Sequence, residues 1–321
     1  MTDHTNEERE LLSRIAWAYH ANGMTQAEVA DWLGVSRARI VRLLQVCRDQ
    51  GYVQIIVNTD RAVCHEMERQ LETVFGLRRA IVIPAPANPK HLNYNLGQAA
   101  SHYLSTALRD GNSLGLGWGT TVAAAASSAP ADSADGLTVV SMYGGLPYSI
   151  IVNPYEIVTT FSRRLKASQT YYIAAPMFAP SPESCRLLKS QELFRSVYAR
   201  AIQVDIALVG LGELAVNATN IVLGAITRLE FKSLVDAGAV GEVFGAFVDA
   251  EGKPVTHPKN ECFMGPTLDE VRTIPLRIAA AGGPSKTAII RAALLGGFAD
   301  VLVTDETTAG TLLAAETGGE I

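Results

Sequence analysis

Residues 276–305 read LRIAAAGGPSKTAIIRAALLGGFADVLVTD. Two short apolar runs, Leu276–Ala280 and Asp300–Thr304, flank a helical stretch, Ser285–Leu295, and a glycine-rich loop, Ala281–Lys286, joins the first run to that helix. Strand, loop, helix, strand is the repeating unit of a parallel sheet. The same alternation runs back through the chain. Strand-like runs stand at Arg79–Ile83, Ser113–Leu116, Leu137–Ser141, Thr170–Ala174 and Asp205–Val209. Helical stretches stand at His91–Leu108, Thr121–Ser128, Tyr155–Lys166 and Glu306–Ala315. The pattern predicts a Rossmann-like, mostly parallel α/β domain over 77–321, with helices on both faces. Ligands of such folds lie beyond the C-terminal ends of the strands, so the residues just after each strand are the ones to read.

Gly115-Leu116-Gly117-Trp118-Gly119-Thr120-Thr121 follows one such run and leads into a helix. It is not the dinucleotide fingerprint, which needs glycine at position 120, and no lysine follows as in a Walker loop. Its glycines and threonines suit either a tight strand-to-helix turn or an anion cradle built from backbone N–H groups, hydroxyls and a helix start. Lys286 stands in the first turn after Gly282-Gly283-Pro284-Ser285, where it either meets a sugar phosphate or carboxylate or lies solvated on the surface. Asp305, at a strand end, either accepts hydroxyl hydrogen bonds or caps the next helix. Glu242 lies among small and apolar residues in GAVGEVFGAFVDAEGKPV (238–255), whose Asp249–Gly252 reads as a hairpin turn. Gly144-Gly145 and the helix start at Asn153-Pro154 are further candidates.

The start of the chain is of another kind. Leu11, Leu12, Ile15, Ala16 and Tyr19 give Glu8–His20 helical spacing, and Ala21-Asn22-Gly23 stops it. Thr25 with Glu28 forms a capping box opening Gln26–Leu33, Gly34 ends that helix, and Ser36 caps the next, Arg37–Asp49. Two short helices joined by a glycine turn are a helix-turn-helix unit. In it the second helix enters the major groove, with Ser36, Arg37, Arg39 and Arg42 toward the bases and Thr25 and Gln26 toward phosphate. Residues 1–58 hold six Arg against seven acidic residues, so one copy is expected to bind DNA modestly and to need multivalency. Gly51–Val57 reads as a short strand or wing. A helical linker follows over 59–76, with Val63, Met67, Leu71, Val74 and Phe75 as its apolar stripe.

Composition agrees with a small module plus a larger one. The chain has 321 residues, 48% of them hydrophobic, and a net charge of −5, so DNA contact must come from local cations. Four cysteines, Cys47, Cys64, Cys185 and Cys262, lack C-x-x-C spacing and read as reduced thiols, without metal or disulfide. The acidic N-terminus is unlike a signal peptide, and no apolar run approaches the ~20 residues of a membrane span. A cytoplasmic location without membrane partners is expected. No H-E-x-x-H motif or His–Cys pairing stands in the sequence, so neither catalysis nor a cofactor is expected.

These stretches together resemble the SorC family of sugar-responsive bacterial transcriptional regulators. The resemblance covers nearly the whole chain and rests on GMTQAEVADWLGVSRARIVRLLQVCRDQGYVQI, GLGWGTTV, GAVGEVFGAFVDAEGKPV and, most specifically, IAAAGGPSKTAIIRAALLGGFADVLVTDETTA. It implies a helix-turn-helix domain (1–58), the helical linker, and an effector-binding and oligomerisation domain (77–321) similar to glucosamine-6-phosphate deaminase and ribose-5-phosphate isomerase. It also implies phosphorylated sugars as effectors and dimers to tetramers as assemblies. By motif, Gly117, Gly119, Thr120 and Thr121 resemble phosphate-loop residues, Glu242 and Lys286 the effector-contacting acid and lysine. Asp305 lies in the strand-end motif beside the pocket, and Asn153 matches a helix start near the effector. Trp118, bulky for such a loop, bears on whether the effector is phosphorylated or a free polyol. The expected protein is a regulator of a carbohydrate catabolic operon, with operator DNA, the effector and other copies of itself as partners. A sugar-phosphate isomerase or deaminase with an added helical module is the alternative.

Overall fold

The structure is a computed structural model describing residues 6–49, 52–53, 62–130, 133–147 and 150–316. Its contacts divide the chain into two compact units, Met1–Thr59 and Asp60–Ile321. Each has its own apolar core.

In the first unit α1 (Asn6–Ala16) runs into a π turn at Trp17–Ala21, closed by Asn22 N–H on the Trp17 carbonyl at 2.9 Å. The single helix expected over Glu8–His20 therefore changes register near its end. Thr25 opens α2 (Gln26–Leu33): its Oγ1 accepts from Glu28 N–H at 3.3 Å, and its own N–H donates to Glu28 Oε2 at 2.7 Å. Gly34 ends α2 at φ 64°, a left-handed conformation, and α3 (Arg37–Asp49) follows. Leu12, Ile15, Val29, Ile40, Leu44 and Cys47 form the core. Val41 is exposed, because α3 turns Ile40, Leu44 and Cys47 inward. Of the strand expected at Gly51–Val57, all but Tyr52 and Val53 lies outside the described residues.

The second unit begins with α4 (Ala62–Phe75) and β1 (Arg79–Ile83), then α5 (Leu92–Ala107), β2 (Ser113–Leu116), α6 (Thr120–Ser128), β3 (Thr138–Ser141), α7 (Pro154–Arg164) and β4 (Gln169–Tyr171). Two helices, α8 (Pro182–Ser190) and α9 (Glu192–Ala201), lead to β5 (Ile206–Val209) and β6 (Leu211–Glu213). The short α10 (Thr219–Val222), α11 (Arg228–Asp236), β7 (Gly241–Val243), β8 (Ala246–Val248), α12 (Pro258–Glu261) and α13 (Leu268–Arg272) come next. The chain closes with β9 (Leu276–Ala280), α14 (Thr287–Leu295), β10 (Val301–Asp305) and α15 (Glu306–Glu316). No helix among the described residues is long and apolar enough to cross a membrane.

Seven strands form one parallel sheet in the order β1-β10-β9-β5-β2-β3-β4. From β2 the chain builds outward through β3 to β4, then returns to place β5 on the other side of β2. It builds outward again through β9 and β10 toward β1. The strand order thus reverses between β2 and β5, and successive crossovers part there to leave a crevice beyond the strand ends. All seven expected runs lie in this sheet, β4 being shorter than Thr170–Ala174.

Helices α8, α9 and α11 and a three-stranded antiparallel sheet, β6-β7-β8, were not expected. These strands have only three residues each, too few for a period to register. The chain does reverse at Asp249–Gly252, where Gly252 N–H meets the Asp249 carbonyl at 3.0 Å.

The α4 stripe differs from expectation. Val63 and Val74 are exposed, whereas Cys64, Glu68 and Leu71 are buried. The reason lies at β1, a sheet edge whose outward N–H groups need acceptors. Glu68 Oε1 accepts from Val82 N–H at 2.9 Å and Glu72 Oε1 from Ala80 N–H at 3.0 Å. Turning these carboxylates onto the strand rotates Val63 and Val74 outward.

Candidate functional site

The crevice between β2 and β5 is lined on one side by Trp118–Thr121 and on the other by Gly210–Glu213, with Ala218–Asn220, Glu242 and Lys286 completing it. Its empty volume is about 450 Å³, part of it open to solvent.

Gly119 caps α6 at φ 106° and ψ 170°, a conformation L side chains rarely adopt. The N–H groups of the first turn of α6 therefore face the crevice without intrahelical partners, at the positive end of the helix. Thr120 and Thr121 are held by a residue absent from the sequence reading. Asn93 Nδ2 donates to Thr120 Oγ1 at 3.0 Å, and Thr121 Oγ1 donates to Asn93 Oδ1 at 3.3 Å. Gly97 permits this: a Cβ there would lie 2.5 Å from Ala124 Cβ and 2.6 Å from Ala125 N, so α5 and α6 touch backbone to backbone. Gly117 plays a different part. It is buried and extends the sheet through its N–H on Leu208 O at 2.9 Å, outside the residues lining the crevice.

Across the crevice stands Glu242, 4% exposed. Its Oε1 accepts from Gly245 N–H at 2.6 Å, and its Oε2 from the Trp118 indole N–H at 3.4 Å. Burial raises its pKa above the ordinary carboxylate value, outweighing the Gly245 and Trp118 bonds and the nearby Lys286 charge. Trp118 is itself buried and braces this carboxylate. Lys286 Nζ lies 3.6 Å from Glu213 Oε2, each side chain about a fifth exposed, so an incoming anion shares the ammonium with a carboxylate.

Two further expected site residues are occupied in holding loops. Asp305 accepts from Gly283 N–H at 2.8 Å, Thr308 Oγ1 at 2.6 Å and Thr308 N–H at 3.1 Å, capping α15 and anchoring the loop that carries Lys286. Asn153 caps α7 through Tyr155 N–H at 3.2 Å and donates to Leu146 O at 3.0 Å. The neighbouring Val152 carbonyl receives Gly119 N–H at 3.4 Å, so Asn153 supports the cradle from behind. Neither lines the crevice. Besides Asn93, sequence reading missed Glu213 and Asn220. Gly210–Glu213 follows a strand it had recognised, and its position alone was the signal. Among the described residues no His, Cys, Asp or Glu cluster fits a metal.

In the first unit Ser36, Arg37, Arg39 and Arg42 are exposed, and Ser36 Oγ accepts from Arg39 N–H at 3.3 Å. Thr25, Gln26 and Arg37 line one surface groove, which unites the start of α2 with the start of α3.

A helix-turn-helix unit and a parallel α/β unit with a polar crevice at its switch point define a ligand-responsive DNA-binding protein as a class. Comparison with known proteins identifies the family. Residues 60–314 match the family model described as "Putative sugar-binding domain". The chain is similar to the transcriptional regulator LsrR of Klebsiella pneumoniae subsp. pneumoniae, 33% identical over 96% of this chain and 94% of that one. It is likewise similar to LsrR of Escherichia coli (strain K12), 34% identical over 95% of both chains. Among solved structures, the full-length sorbitol operon regulator SorC from Klebsiella pneumoniae superposes with a TM-score of 0.73 at 26% identity, over 96% of this chain and all of that one. The chain belongs to the SorC family of sugar-binding transcriptional regulators. It is a regulator and not an enzyme, as its named relatives are.

Proposed function

We propose that this regulator binds operator DNA through Ser36, Arg37, Arg39 and Arg42, with Thr25 and Gln26 on flanking phosphates, and controls a carbohydrate catabolic operon from the cytoplasm. Its crevice takes a phosphorylated sugar or polyol as effector. One observation carries that reading: the N-terminus of α6, with Thr120 and Thr121, faces the same crevice as Lys286 and the buried Glu242. The start of α6 and Lys286 supply donors and positive charge, and the Glu242 carboxylate can receive hydroxyls. Gly117, Asp305 and Asn153 act behind these groups, holding the loops that present them. Copies of the chain assemble as dimers to tetramers, so that several modest DNA contacts add up. Effector binding then shifts the assembly, through a coupling of about 1–3 kcal/mol.

Thermal shift of the full chain against paired phosphorylated and free sugars and polyols tests the effector. A phosphorylated ligand at about a hundredfold its Kd should add about 2.7 kcal/mol of stability. The Lys286–Glu213 pair favours a second reading, a neutral polyol, because the ammonium is already partly compensated. Stabilisation by free polyols alone would establish that second reading and remove the phosphate role of Thr120 and Thr121.

A further inference from the structure

Asn220 stands on the segment between β6 and α11, within α10. Its backbone carbonyl accepts from Ile226 N–H at 3.1 Å, folding the segment back on itself. The side chain is a different matter. Asn220 is 4% exposed, lines the crevice beside Thr219 and Ala218, and its Oδ1 has no hydrogen-bond partner. Buried polar atoms are nearly always paired, because leaving one unpaired forfeits its hydration. An orphaned amide oxygen in a ligand crevice is a cost the free protein bears until a donor arrives.

The chemistry of that donor is restricted. An amide oxygen only accepts, so the phosphate group of a phosphomonoester dianion cannot satisfy it, whereas a hydroxyl can. Glu213 and Glu242 add carboxylate acceptors to the lining, and Lys286, 3.6 Å from Glu213 Oε2, is the single cationic side chain among the lining residues. The crevice thus offers donors at the start of α6 and at Lys286, and acceptors at Asn220, Glu213 and Glu242. One ammonium already shared with a carboxylate leaves no second cation for a second phosphate.

We infer that Asn220 is a specificity residue which accepts a hydrogen bond from a ligand hydroxyl, so that the effector is a hydroxyl-rich molecule with one anionic end. The inference rests on the reading of the crevice as an effector site for a phosphorylated ligand, and deepens it. Sites built to bond a hydroxyl reject analogues lacking it far more strongly than apolar pockets reject an extra methylene. Losing one such buried bond lowers affinity on the order of 10- to 100-fold.

Calorimetric titration of the full chain with pentitol and hexitol monophosphates, hexyl phosphate and inorganic phosphate tests this, on wild type, Asn220→Leu and Asn220→Ala. Wild type should prefer the best hydroxylated monophosphate over hexyl phosphate by at least about tenfold. Both variants should lose most of that preference while keeping their affinity for hexyl phosphate and inorganic phosphate. Without ligand both should melt no lower than wild type, since the side chain gives up no hydrogen bond. A preference retained in both variants overturns the inference, and so does a clear fall in melting temperature, which would make Asn220 structural. Wild-type binding of phosphates with no hydroxyl preference also overturns it and leaves the phosphate reading standing. A wild type that binds none of the phosphates removes that reading, and the inference with it.

Discussion

Glu242 is the residue at which burial and function most directly oppose each other. Its carboxyl is held by Gly245 N–H and the Trp118 indole, yet burial still lifts its pKa. The sign of the consequence follows from linkage. A folded-state pKa above the unfolded value means that the native state binds more protons just above the ordinary carboxylate range, so stability falls as pH rises through that interval. Below it the group is neutral in both states and costs nothing. Replacement of Glu242 by Gln removes the titration. Urea denaturation should find the variant gaining on wild type as pH rises above the ordinary carboxylate range. Parallel pH profiles of the two proteins would mean that Glu242 ionises as freely in the fold as in the unfolded chain. The same residue shows what was legible locally. A carboxylate among small apolar neighbours was visible as a candidate, but its partners were not, because Trp118 is 124 residues away in sequence.

At the scale of elements, α4 and β1 form one device. The sheet would end in an open edge at β1, and two carboxylates of α4 occupy the N–H groups of Ala80 and Val82. Arg79 lies 3.9 Å from Glu68 and 3.6 Å from Glu72, and His65 Nδ1 lies 2.8 Å from Glu68, so the buried carboxylate has cationic and polar company. Glu68→Ala strands the Val82 N–H on a sheet edge and should cost about 1–3 kcal/mol in chemical denaturation, with a rise in light scattering near the midpoint as edges meet. Glu68→Gln, which keeps an amide oxygen for Val82, should lose less. Equal stability of wild type and the Ala variant would show that water serves that edge as well as the carboxylate does. Apolar periodicity foretold that α4 exists and where it ends. It found the face only in part: Leu71, Met67 and Phe75 pack on the core, but Val63 and Val74 point outward, because the pattern counts apolar residues and the packing turned on two acids.

For the whole molecule the question is how an acidic chain, at net charge −5, holds a polyanion. The six Arg of residues 1–58 are offset by seven acidic residues, so long-range attraction is weak and specific contacts carry the binding. Arg39→Ala should weaken operator binding by about 1–3 kcal/mol if it reads a base, with relaxed specificity at one position and an unshifted melting temperature. Electrophoretic mobility shift across a salt series separates the possibilities. A uniform loss over all sequences, with a shallower salt slope, would make Arg39 a phosphate contact instead.

Much of this architecture is local information. Alternating apolar runs and helical stretches specified seven strands and the helices α5, α6, α7, α14 and α15, since side-chain period is a property of neighbours in the chain. Caps at Thr25 and the glycine at position 34 delimited the helix-turn-helix in the same way. Tertiary structure alone decided strand order, and strand order decided the site. Only because β2 and β5 lie side by side does Gly119–Thr121 face Gly210–Glu213. Only the approach of α5 to α6 at Gly97 brings Asn93 onto the threonines. Asn220 carried no sequence signal at all, for an asparagine in a polar turn is ordinary until its oxygen is found buried and unpaired. Hydrogen-bond satisfaction is a sum over everything around an atom, and no stretch of sequence contains that sum.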